Sequence, residues 1–164
     1  MLLISHTSMG ILIASCSANP FTGSIMAFFS HYLLDIIPHE PQEELFFVPP
    51  KNEGWSEEIK TKLKKRQKSS IFDFIFSILL ILSYLLITHE NELFKIIPLF
   101  LIIFFSVLPD ILTILYLRYP FKLLKEHYKF HYIIHNIIPI KMSYFFATTY
   151  QVVFSLLLLW LAVI

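Results

Sequence analysis

His31 and Asp35 stand four residues apart in an apolar run, so on a helix they share one face and can hold one ion together. His127, His131 and His135 repeat the same step, forming a helical stripe that drifts about 40° per step. Lys122, Lys125 and Lys129 fall roughly opposite that stripe, so the His face is free to turn toward other helices. His6 and Asp110 lie in two further apolar runs. A carboxylate in such a run is costly unless it is protonated or its charge is matched. A divalent ion shared with imidazoles supplies that match, and imidazole with carboxylate suits zinc first and several other divalent ions after it. The candidate ligands are His6, His31, Asp35, Asp110, His131 and His135, with Asp110 and His135 the expected catalytic residues. The number of ions is left open.

Other ionisable residues have plainer readings. Asp73 opens an apolar run and reads as a first-turn carboxylate of its own helix. His89 reads as an interfacial anchor, His39 divides evenly between ligand and structural roles, and His127, beside Lys125 and Glu126, is the member of its triple expected to be the most exposed. Cys16 is the sole cysteine, which excludes an intramolecular disulfide; it reads as a small packing residue in a helix. Ile13-Ala14-Ser15-Cys16 loosely matches a lipoprotein cleavage box, but no Lys or Arg precedes it.

These residues must be positioned by an oily chain. Of 164 residues, 56% are hydrophobic and only 15% charged, with 17 Phe and 3 Gly. A soluble domain has about 25% charged residues, so disordered, collagen-like and ordinary soluble-enzyme classes are excluded. A net charge of +1 gives no case for a nucleic-acid partner. Apolar stretches at 1–18, 20–37, 70–88, 96–116 and 139–164 predict an all-α integral membrane bundle in one domain, several of them long enough for a bilayer core of about 30 Å. Asn19-Pro20 between the first two signals a tight helical hairpin, spanning or re-entrant.

Segments 39–69 and 119–138 are polar. In the first, Trp55, Ile59 and Leu63 recur every four residues opposite Glu and Lys, predicting a short amphipathic helix on the membrane surface. Twelve of the thirteen Lys and Arg lie in or beside these two segments, Lys95 being the exception. The positive-inside rule makes both segments cytoplasmic, with the N-terminus inside and the C-terminus outside. All the candidate ligands then share the cytoplasmic membrane level.

Ser5-His6-Thr7-Ser8-Met9-Gly10, Leu108-Pro109-Asp110 and the late His cluster resemble the small bacterial inner-membrane proteins classed as presumed metal-dependent hydrolases. His31 through Asp35, followed by Pro38-His39, is similar to the HxxxD element of zinc-dependent phospholipase C and the P1-type nucleases. The resemblance implies helical, metal-dependent phosphoester cleavage, with His6, His31, Asp35, Asp110 and His131 carried over and His135 added from spacing. Leu112 stands where the family often has a second Asp, and Glu126 to His131 lacks the family's Gly and Thr.

The expected function is therefore a membrane-embedded hydrolase acting on a phosphoester such as an anionic phospholipid headgroup at the cytoplasmic interface. The alternatives are a non-catalytic metal protein, structural or ion-transferring, and a membrane scaffold using its Lys-rich surface. A serine route has no GxSxG to carry it.

Overall fold

A computed structural model describes residues 3–38, 56–90, 92–138 and 142–164, with the backbone alone given for 58–60, 62–69 and 144. Among them are six helices and no strand: α1 Leu3–Cys16, α2 Pro20–Ile36, α3 Glu57–Thr88, α4 Leu93–Arg118, α5 Lys122–His135 and α6 Tyr144–Val163. Ser70–Thr88, Leu93–Arg118 and Phe145–Val163 are long and apolar enough to cross a membrane, and α1 is a shorter apolar helix.

Local chemistry sets the boundaries. The Asn19 side chain accepts from the Phe21 N–H while Pro20 occupies the first turn, where a missing N–H costs nothing. This makes the expected hairpin of α1 and α2. Ser143 caps α6 in the same way, accepting from the Phe146 N–H. His89 adopts a left-handed backbone, φ 53°, directly after α3, the conformation that commonly terminates a helix.

Three expectations change. The polar residues from 57 do not form a separate surface helix; α3 runs unbroken from Glu57 to Thr88. The last helix starts at Tyr144, after the Ser143 cap, instead of at 139. Cys16 closes α1 as expected of a helical residue, yet it is exposed and packs into no core. His39, Trp55 and Lys141, with the side chains of Ile59 and Leu63, lie outside the described residues.

α1 is the central helix, packed by α2, α3, α4 and α6. Small side chains admit this crowding: Ser5, Thr7, Ser8 and Gly10 are all buried. A Cβ added at Gly10 would stand 2.8 Å from Ser106 Oγ and 3.1 Å from Ile103 Cα, so α1 and α4 touch there almost backbone to backbone. The interior holds many polar side chains, Ser77, Ser106, Gln151 and Ser155 among them, and the outer surface large apolar ones such as Phe76, Leu79, Phe145 and Leu156. Ser5 and Ser155 hydroxyls hydrogen-bond at 3.2 Å, joining the first helix to the last.

Candidate metal centre

Four helices deliver side chains to one point. His6 comes from the first turn of α1, His31 and Asp35 from the last turns of α2, Asp110 from the C-terminal half of α4, and His131 and His135 from α5. His6, His31, Asp35 and His131 are completely enclosed, whereas the Asp110 side chain is 36% exposed and marks the open side.

Asp35 is the hub. Its Oδ2 lies 2.9 Å from His31 Nε2, 2.8 Å from His131 Nε2 and 3.3 Å from His135 Nε2. Its Oδ1 lies 3.4 Å from His6 Nε2. Among the imidazoles, His131 Nε2 is 3.2 Å from His31 Nε2 and 3.1 Å from His135 Nε2. Asp110 Oδ1 stands 3.8 Å and 4.0 Å from His31 and His131.

These spacings fit a shared cation. Donors bonded at about 2.0–2.1 Å in tetrahedral geometry are separated by about 3.3 Å. Two groups satisfy the requirement: His31, Asp35 and His131, and His6, His31 and Asp110. The ring orientations agree. His31 Nδ1 is 2.8 Å from the Ser106 carbonyl and His131 Nδ1 2.8 Å from Thr113 Oγ1, so each ring anchors one nitrogen and presents the other to Asp35. Such outer partners commonly fix the tautomer of a ligating His. Both ring nitrogens of His6 are buried without a hydrogen-bond partner, an arrangement that a ligand role would relieve.

The sequence contains the causes. Ser106, Asp110 and Thr113 follow one another at four and three residues, placing them on one face of α4. Pro109, buried in that helix, has no N–H to offer the Phe105 carbonyl, the neighbour of the Ser106 carbonyl that meets His31. Thr113 and the Ser106 carbonyl are therefore contacts of the two rings that a search for ligand residue types alone passes over.

His127 stands apart from the hub and is half-buried, more open than the enclosed His131. Its Nε2 shares a 3.1 Å hydrogen bond with the Tyr32 hydroxyl. Burial first, then His131 and His31, pulls its pKa from 6.5 to about 4, so it is neutral at physiological pH. Asp73 does not cap its own helix. It lies well inside α3 and accepts from the backbone N–H groups of Leu3 and Ile4, the latter at 3.0 Å, so it caps α1 from the side.

Comparison of the chain with protein-family models, with curated proteins and with solved structures finds no match.

Proposed function

We propose that this protein is a membrane-embedded, metal-dependent hydrolase of phosphoesters, with a phospholipid headgroup as its first candidate substrate. The observation that carries the reading is the convergence of His31, His131 and His135 Nε2 on one oxygen of Asp35, beside the partly open Asp110. The polar interior and apolar surface suit a hydrocarbon surround, where the hydrophobic effect does not favour burying apolar side chains. The cation count supports a cytoplasmic site, and the motif resemblance supports a bacterial inner membrane and zinc.

When bound, a divalent ion supplies a Lewis acid for a phosphoryl oxygen and activates water near neutral pH. His31, Asp35 and His131 would hold it, with His135 and His6 at the flanks. Asp110, on the open side, is placed to take or return a proton as substrate enters. His135 Nε2, beside both His131 and Asp35, would be close enough to accept a proton from water held at that point. Ser106 and Thr113 keep the rings aimed and require no change during turnover.

The deep enclosure of Asp35 and His31 favours a second reading, a metal site that is structural or passes an ion on. One experiment separates the two. Purified wild type should carry zinc or a similar ion, and H31A and D35A should lose it. D110N should keep the metal and lower turnover of phospholipid or a generic phosphodiester by roughly 10²–10⁴-fold. Wild type free of metal at saturating supply overturns both readings; metal retained with no wild-type turnover across a broad phosphoester panel leaves the second.

A further inference from the structure

α5 has two faces, and the centre uses only one. His131 and His135 point inward, while Leu123, Phe130 and Ile133 are 83%, 49% and 61% exposed. On a helix of 3.6 residues per turn, Leu123 and Phe130 fall within about 20° of each other, between the His stripe and the Lys arc. Lys122, Lys125 and Lys129 share an arc of about 60°, with Ile133 at its edge. All three Lys are exposed, as is Arg118 at the end of α4. The one acid between 111 and 138, Glu126, pairs with Lys129 at 3.1 Å. The helix thus offers apolar side chains along one edge and a net positive row beside them.

We propose that this outer face of α5 docks on an anionic lipid surface, with Leu123, Phe130 and Ile133 at the acyl boundary and the Lys row among phosphate groups. The proposal rests on the membrane reading above and goes beyond it, because it names the surface that seats two of the candidate ligands. Charge complementarity selects the occupant. A neutral protein partner would match the apolar edge but leave the Lys row unmatched, whereas an anionic headgroup layer over hydrocarbon matches both. Binding on this face and ion holding on the other are thermodynamically linked, since lifting α5 withdraws His131 and His135 together.

The test places nitroxide labels on full-length protein in a C16S background at L123C, K125C, F130C and K129C, with L156C on α6 as the lipid-facing control. Samples are reconstituted in phosphatidylcholine vesicles with and without phosphatidylglycerol. Labels at 123 and 130 should favour oxygen over a water-soluble nickel relaxer, and those at 125 and 129 should favour nickel. Phosphatidylglycerol should raise the ratio of seated to lifted α5 on the order of fivefold for each Lys engaged. K122Q/K125Q/K129Q, read from the label at 123, should remove that response.

Nickel preference at 123 and 130 in both lipids overturns the proposal, as does loss of access to both relaxers, which would mean a second copy covers the face. Nickel preference at 156 overturns the membrane reading along with it. Labels report without any metal, and zinc content of the same samples is measured separately. A metal-free protein with the predicted label pattern therefore refutes the centre while supporting the docking face.

Discussion

Asp35 divides its two oxygens unequally: Oδ1 faces only His6, while Oδ2 faces three imidazoles. Two of those rings, His31 and His131, have an anchor at the far nitrogen, and Thr113 offers the cleanest test because its role is confined to one hydroxyl. T113V should weaken metal affinity about 10–100-fold, and T113S should restore most of it. Metal titration of the two variants checks this; equal affinities would remove Thr113 from the site. At this scale the sequence was legible for which imidazoles and carboxylates meet, and less so for the groups that hold them. The four-residue spacing of His31 and Asp35, and of His131 and His135, follows directly from helix geometry, and the structure brings both pairs together. The Ser106 carbonyl is invisible to any reading of side-chain types. The partial burial of His127 depends on Tyr32 from another helix, which local charge at Lys125 and Glu126 does not report.

α1 is an element held by its neighbours. Asp73 satisfies the Leu3 and Ile4 N–H groups, which a helix start cannot pair internally, and His6 follows within one turn. D73A should cost about 1–2 kcal/mol of stability. It should also lower metal affinity, whereas D73N, retaining an acceptor oxygen, should lose less; thermal unfolding with metal titration reads both. Gly10 tests the opposite end of the same constraint. An Ala there gains up to about 1 kcal/mol of helix propensity, but must displace the Ile103 backbone as well as a rotatable hydroxyl. Overpacking of this kind costs about 1–3 kcal/mol, so G10A should be net destabilising. G23A should be milder, since its tightest neighbour, at 2.7 Å, is the flexible tip of Ile102. Equal melting temperatures for wild type and G10A would refute the argument. The sequence showed where helices lie but not which one Asp73 serves. Its position at the edge of an apolar stretch suggested a helix start, while the preceding Lys-rich residues simply continue α3 because Lys, Arg, Gln and Glu are good helix formers.

For the whole molecule, helical class and three membrane-length apolar helices were readable from composition, because runs of this length admit few other structures. The crossing of the hairpin was not readable, and its length now bears on it. Fourteen residues in α1 reach about 21 Å, short of a hydrocarbon core of about 30 Å. Cys16 should therefore resist a charged thiol reagent from either face of sealed vesicles and react after detergent is added. Labelling from the outer face of intact vesicles would instead mean that the hairpin crosses. The central place of α1 has another consequence, for the order of synthesis. Of the described helices Leu3–Cys16 is made before the others, yet Ser5 meets its partner Ser155 across 150 residues, and α3, α4 and α6 must all exist before its polar side chains are enclosed. A helix made before its partners is completed after them, so a nascent chain must carry the Ser5 hydroxyl without its Ser155 partner until α6 arrives.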